Sequence, residues 1–272
     1  PKWGIETVLI DGTDLDAWAK ALETPTKMVF FESPSNPLLE LVDIAAVSDM
    51  AHAAGAVVVV DNVFATALHQ RPLELGADVV VYSATKHIDG QGRLMGGAVL
   101  GDQAFIKDVF TPFYRQTGAA ISAFNAWVML KSLETLSLRI EAQCASAARI
   151  ATMLAAHKAV KNVRYPGLTN HPQHDLARKQ MTGFGSIIAF EINGGEATAY
   201  RVLNELSLID ISNNLGDSKS LACHPYTTTH SSLSDEELAA LGISTSHLRL
   251  SVGLESVHDL VRDIEQALGI LG

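Results

Sequence analysis

Three stretches of this 272-residue chain set polar side chains directly after apolar, β-branched runs. Glu32, Ser33 and Asn36 follow Met28–Phe31, Asp61 follows Ala56–Val60, and Ser83-Ala84-Thr85-Lys86 follows Ala77–Tyr82. Hydroxyls at Ser83 and Thr85 could bind a phosphate. The amine of Lys86, one residue on, could attack an aldehyde. Asp61, at the end of a neighbouring strand, could hold a basic ring nitrogen protonated. Phosphate, aldehyde and basic ring nitrogen in one molecule describe pyridoxal 5′-phosphate. A lysine in a dry, cationic pocket has its charged form disfavoured, which frees the amine as nucleophile. An acid on the ring N–H keeps the ring electron-withdrawing. Taken singly, each residue has a plainer reading: a lysine after a strand is usually solvated, and an aspartate there usually caps the next helix.

This chemistry needs strand ends delivered to one place, as the carboxyl edge of an open parallel sheet delivers them. The first half of the chain alternates short apolar runs with helical patterns. Pro34 and Pro37 forbid helix after Met28–Phe31 and make a turn. Ile44, Val47, Ala51 and Ala54 then recur at helical spacing, with Gly55 as C-cap. Ala56–Val60 is short and continuously apolar, as a strand buried on both faces is. Gly97–Leu100 reads as a further short strand. Strand, helix and strand with short links imply right-handed crossovers and a mostly parallel sheet. Ser122 to about His157 has neither Pro nor Gly and contains one long helix or two broken ones. It leads to a second unit. There Ser186–Ile192 reads as a strand with Ile188, Phe190 and Ile192 on one face, and His247–Gly253 as another. Ser234 and Glu237 form a capping box for a helix that Gly242 could close. Val257, Leu260, Val261, Ile264 and Leu268 mark the last helix. The expected fold is α/β, a mostly parallel large domain over 1–136 and a smaller α+β domain over 137–272.

Composition removes several alternatives. Hydrophobic residues make up 47% and charged residues 18%, so the chain is not disordered. Thirty acidic against 20 basic residues give a net charge of −10, with no electrostatic footprint for nucleic acid and repulsion from anionic membranes. No stretch could cross a bilayer, and no signal peptide is visible. Cys144 and Cys223 are far apart, which suits a reducing cytoplasm better than a disulfide framework. The chain starts Pro1-Lys2-Trp3-Gly4 without Met, and Ile5–Ile10 already reads as a strand. That start fits a segment of a longer protein.

Val60-Asp61-Asn62-Val63-Phe64 and Tyr82-Ser83-Ala84-Thr85-Lys86-His87 resemble the signature of the Cys/Met-metabolism PLP-dependent enzymes. The likeness extends through Glu32–Pro37, Leu215–Leu221, His224–His230 and Arg249–Glu255, in the family's order and over almost the whole chain. It implies the PLP-dependent transferase fold type I, here without its N-terminal part, and a homotetramer built from dimers that share active sites. It implies Lys86 as the Schiff-base lysine, Asp61 as the ring-nitrogen partner and Ser83 and Thr85 as phosphate ligands. Asn36 would lie near the cofactor's 3′-oxygen. Arg249 would clamp the substrate α-carboxylate, with Ser220 near the same group. A short strand carrying Arg249 between Leu248 and Leu250 could bring a bidentate fork to a carboxylate; the bland alternative is a surface ion pair. The family's Gly-rich phosphate loop, its ring-stacking aromatic and the Tyr and Arg donated by a neighbouring subunit would lie upstream of Pro1. Tyr114 and Arg115 are not their counterparts. A molecule that began at Pro1 should therefore hold the cofactor poorly, with Lys86 in no well-ordered imine.

Within that family, Lys86–Arg93 and Gly216–Ser220 resemble the O-succinylhomoserine sulfhydrylase branch, which replaces succinate with sulfide to give homocysteine in methionine biosynthesis. Lys219 or Arg93 would then bind the succinyl carboxylate. Cystathionine γ-synthase, with cysteine as nucleophile, is the nearest rival; Lys219 speaks against a γ-lyase. A truncated relative without turnover is the non-enzymatic rival. Gly90-Gln91-Gly92-Arg93-Leu94-Met95-Gly96 is not a dinucleotide fingerprint, because its last glycine is late and a strand follows it. His171-Pro172-Gln173-His174 reads as a surface loop and not a metal site. Cys223 reads as a buried structural thiol.

Overall fold

A computed structural model of the chain describes residues 3–271. Its first sheet has four strands in spatial order: β1 (Met28–Glu32), β2 (Val57–Asp61), β3 (Val79–Ser83) and β4 (Gly97–Gly101). The first three run parallel and β4 lies antiparallel on β3. Helix α1 (Leu15–Ala21) opens on the Asp14 carboxylate, which accepts two N–H groups of its first turn, and α2 (Ile44–Ala53) on that of Asp43, which accepts one. Both cover one face of the sheet, where Val29, Phe31, Val58, Val60 and Val80 pack on Trp18, Ile44, Val47 and Ala51. The register sets Glu32, Asp61 and Val81 side by side, so three carboxyl ends open along one edge.

Residues 5–10 do not form the expected strand. Ile5, Val8 and Leu9 are exposed. An apolar run becomes a strand only where a neighbour takes its N–H and C=O groups, and among the described residues none pairs with this one.

Beyond β2 lies the short α3 (Thr66–His69), and beyond β4 come α4 (Thr111–Thr117), α5 (Ala123–Leu133) and α6 (Leu136–Ala156). The Pro- and Gly-free run is thus two helices, broken at Glu134 and Thr135. The expected boundary at 136/137 falls at the start of α6. Arg139 in its first turns reaches back to the carbonyls of His87 and Ile88, at 2.9 and 3.1 Å. Its later residues Ala147, Ile150, Ala151 and Leu154 belong to the second core.

The second sheet has the order β5-β6-β9-β8-β7. Its strands are β5 (Val160–Arg164), β6 (Ile187–Ile192), β7 (Asp210–Ile211), β8 (Leu221–Cys223) and β9 (His247–Ser251), with α7 (His174–Gln180), α8 (Glu196–Glu205), α9 (Asp235–Ala240) and α10 (Val257–Gly269) around them. Ser234 and Glu237 make the expected capping box. Ile188, Phe190 and Ile192 share a core with α6, α8 and α10. Ile187 and Ala189 point the other way, onto Leu39, Val63, Phe64 and Leu215. Burial on both faces makes β6 the wall between the two sheets. No helix among the described residues is long and apolar enough to cross a membrane.

One carboxylate ties α10 to this unit. Asp263 accepts the N–H groups of Ser207, Leu208 and Ile209 at 2.8, 2.9 and 3.1 Å. Burial alone would raise its pKa, but these donors outweigh burial and hold it below the ordinary carboxylate value. A depressed pKa contributes stability that is fully present above the unfolded-state value of about 4 and is lost as pH falls from there through the lower native value. Asp263→Ala is expected to cost about 3 kcal/mol at pH 7 in urea unfolding, because three N–H groups lose their acceptor. The gap from the native protein should narrow at pH 3.

Candidate functional site

The strand ends set the acids first. Asp61 closes β2; its Oδ1 accepts the Val63 N–H at 2.9 Å and its other oxygen has no hydrogen-bond partner among the described residues. Burial raises its pKa although the Val63 N–H opposes the shift. Glu32, at the end of β1, accepts the Asn36 N–H at 3.0 Å and is also raised by burial.

After β3 the chain makes one wide helical turn, Ala84–Ile88, interrupted at Lys86 (φ −89°, ψ −126°). This turn aims the Lys86 amine across to the second unit, where Nζ donates to Asn214 Oδ1 at 2.5 Å. Burial lowers the amine's pKa, and the positive charge of Arg249 lowers it further. The Thr85 hydroxyl accepts the Gly96 N–H at 3.0 Å. The Ser83 hydroxyl has no hydrogen bond among the described residues, which leaves it free to bind a ligand.

Arg249 lies mid-strand in β9, paired with Ala189 and Cys223, and is 2% exposed. Its Nη1 donates to Asn36 Oδ1 at 2.8 Å, and its Nη2 to the carbonyls of Asn213 and Asn214 at 2.8 and 3.2 Å. Nε is buried without a partner. The surface ion pair is therefore ruled out. This is a buried cation held by neutral oxygens, a state that favours an incoming anion. Asn36, Lys86, Asn214 and Arg249 thus converge from four separate parts of the sequence.

The remaining expected residues stand differently. Ser220 donates its hydroxyl to Glu255 at 2.8 Å and accepts the Gly253 N–H at 2.8 Å, so it braces the loop before β8. Lys219 is an exposed side chain 3.7 Å from Asp210. Arg93 bonds Asp89 at 2.9 Å and Ser132 at 2.6 Å, because Asp89 is fully buried and needs its charge. Neither cation shares a hydrogen-bond partner with Lys86 or Arg249.

Two further expectations concern the bystanders. His171 is not in a surface loop: it is 4% exposed, and burial drives its pKa down to about 4. His174 begins α7 and bonds the Pro166 carbonyl at 2.9 Å. The four-residue motif hid this because Pro172 says only that no helix spans it. Cys223 is buried and its pKa raised by burial, an inert thiol. Among the described residues no cluster of three His, Cys, Asp or Glu could hold a metal ion.

Sequence reasoning missed Asn214 and gave His87 no role. Asn214 stands just before the Leu215–Leu221 motif, its only signal, whereas His87 closes the Tyr82–His87 signature.

The site fits pyridoxal 5′-phosphate. It offers an amine of depressed pKa, a half-buried acid with one free oxygen, an unpartnered hydroxyl and an orphaned guanidinium nitrogen. Lys86, Asp61, Ser83, Thr85 and Asn36 would hold it.

The family model "Cys/Met metabolism PLP-dependent enzyme" matches residues 1–269. An O-succinylhomoserine sulfhydrylase of Mycobacterium tuberculosis is 56% identical over 98% of this chain, and one of Pseudomonas aeruginosa is 48% identical over 99%. An L-methionine gamma-lyase of Pseudomonas putida is 44% identical over 98%. The chain covers 67% of the length of each. The solved cystathione gamma lyase CalE6 of Micromonospora echinospora superposes with a TM-score of 0.95 at 40% identity, over 98% of this chain and 71% of its own. The strand-end lysine and acid, the buried arginine and these matches agree, and the chain belongs to the Cys/Met-metabolism family of PLP-dependent enzymes.

Proposed function

We propose that this chain carries the catalytic core of an O-succinylhomoserine sulfhydrylase, converting O-succinylhomoserine and sulfide to homocysteine and succinate. The 56% identity to the Mycobacterium tuberculosis sulfhydrylase carries this reading. The buried guanidinium of Arg249 binds the amino acid's α-carboxylate, and Asn36 and the carbonyls of Asn213 and Asn214 fix its plane. Lys86, with its pKa lowered by burial and by Arg249, is the proton carrier: its free amine takes the α-proton and then serves the β-carbon. Asn214 restrains that amine within reach of the clamped substrate. Asp61 would keep the cofactor's ring nitrogen protonated, while Ser83 and Thr85 would hold its phosphate. Pyridoxal phosphate, when bound, supplies the electron sink for the carbanion.

The succinyl carboxylate needs a cation. Lys219 is the readier, since its exposed contact with Asp210 is weak, whereas Arg93 would have to leave buried Asp89. Ser220 shapes the nearby loop. A cytoplasmic homotetramer of dimers with shared sites completes the reading; two separate free cysteines support the reducing compartment.

Steady-state kinetics test it. With sulfide, kcat/KM for O-succinylhomoserine should exceed that for O-acetylhomoserine by about tenfold, the worth of one charge-assisted contact. Lys219→Ala should erase that preference. Faster turnover with cysteine than with sulfide would make the protein a cystathionine γ-synthase. Cleavage of methionine at a comparable rate would place it with the lyases that resemble it at 44% identity.

A further inference from the structure

We propose that His87 is the positioning residue that holds the Lys86 amine and the Asp61 carboxylate at a fixed separation. The inference rests on the function proposed above. His87 is 3% exposed, and both ring nitrogens are engaged: Nδ1 lies 3.1 Å from the Val63 carbonyl and Nε2 3.0 Å from the Ser186 hydroxyl. A carbonyl has no proton to give, so Nδ1 carries the hydrogen and Nε2 accepts from Ser186. Burial pushes the imidazole pKa down to about 4, so the ring stays neutral and keeps this tautomer at pH 7.

The contact closes a loop. The Val63 N–H donates to Asp61, the Val63 carbonyl accepts from His87, and His87 is bonded to Lys86 through the backbone. The loop between the two units reaches the same point. A Cβ on Gly216, whose φ is +73°, would lie 2.7 Å from the His87 backbone nitrogen and 2.9 Å from its ring. Gly216 is two residues past Asn214, the acceptor of the Lys86 amine. Arg139 fixes the His87 carbonyl at 2.9 Å. The imidazole therefore ties the turn after β2 to the turn after β3 and seats the loop that carries Asn214. It moves no proton itself, since neither nitrogen is free.

The two nitrogens can be separated by substitution. His87→Asn can still donate to Val63 but cannot reach Ser186; His87→Gln does the reverse; His87→Leu fills space and does neither. In the intact protein, each variant is titrated with pyridoxal phosphate by visible absorbance, and the adduct at Lys86 is trapped with borohydride and measured by peptide mass. His87→Gln and His87→Leu should bind the cofactor about tenfold or more weakly and trap it more slowly, the effect of one buried hydrogen bond lost. His87→Asn should stay within about threefold of the native protein. Equal affinities for the Asn and Gln variants, or a weaker Asn variant, overturn the role of His87, and this comparison decides even if His87→Leu fails to fold. A native protein that takes no adduct at Lys86 sinks the functional reading as well, an outcome distinct from a native adduct that the variants leave unchanged.

Discussion

Lys86→Ala is expected to lower kcat/KM by at least about 10³-fold and to remove the visible absorbance of bound cofactor. A positioned proton carrier alone contributes about 10²–10⁴-fold, and in the proposed mechanism this amine would also anchor the aldehyde. Among the described residues no second amine is hydrogen-bonded to Asn214 to take its place. The fold should survive, because Lys86 is a cation held near another cation in a site that disfavours its charge. Thermal unfolding without cofactor should therefore give a Tm no lower than the native one. Lys86→Arg should fail to rescue, since a guanidinium has no free lone pair at neutral pH. The native pH profile carries a further sign: an amine with depressed pKa gains its free form as pH rises, so kcat/KM should climb on an alkaline-side limb centred below the ordinary lysine value. Residual activity above a tenth in Lys86→Ala, with cofactor still bound, would end the proposed mechanism.

How much of this was readable in advance differs by element. Ala56–Val60 and Ala77–Tyr82 are runs of β-branched residues that a helix would crowd and a central strand buries, so β2 and β3 announce themselves, and with them Asp61 and Lys86 at their ends. The Asp43-capped helix and the Ser234–Glu237 box are local hydrogen-bond chemistry and equally legible. Ile5–Ile10 shows the limit: its residue types suit a strand, but pairing is not a property of the run itself. At three residues β8 is too short to leave a period. β6 reads as one-faced only until the second face, Ile187 and Ala189, meets Val63 and Phe64 from the other unit. The site divides the same way. Asn214 acquires its role by folding next to a lysine 128 residues away, and Arg249 meets Asn36 across 213 residues. A loop asparagine carries no mark of such an encounter. The role of His87, a residue of the Tyr82–His87 signature, is hidden for another reason: only burial, which the sequence around it does not specify, turns an ordinary imidazole into a neutral tie with a single tautomer.

Arg249→Lys is expected to raise KM for the amino-acid substrate about 30-fold while kcat changes by less than about fivefold, the pattern of lost ground-state binding. The charge is kept, so any loss belongs to geometry. Arg249 satisfies Asn36 Oδ1 through one Nη and two carbonyls through the other, and still presents its unpartnered Nε. An ammonium donates from one point and cannot meet both sides of this cage and a carboxylate in one plane. Losing one charge-assisted hydrogen bond is worth about 2 kcal/mol, which gives the factor expected in KM. Arg249→Met removes the cation as well and should cost about 10²-fold or more in kcat/KM. Folding stability separates this from a structural role. The guanidinium is buried among neutral oxygens, so the free protein bears a desolvation cost that only a bound anion offsets. A substrate carboxylate should thus raise the Tm of the native protein and leave that of Arg249→Met unmoved. If the methionine variant gains as much from the substrate as the native chain does, the carboxylate binds elsewhere, and Arg249 is only a brace between Asn36 and the loop at Asn213.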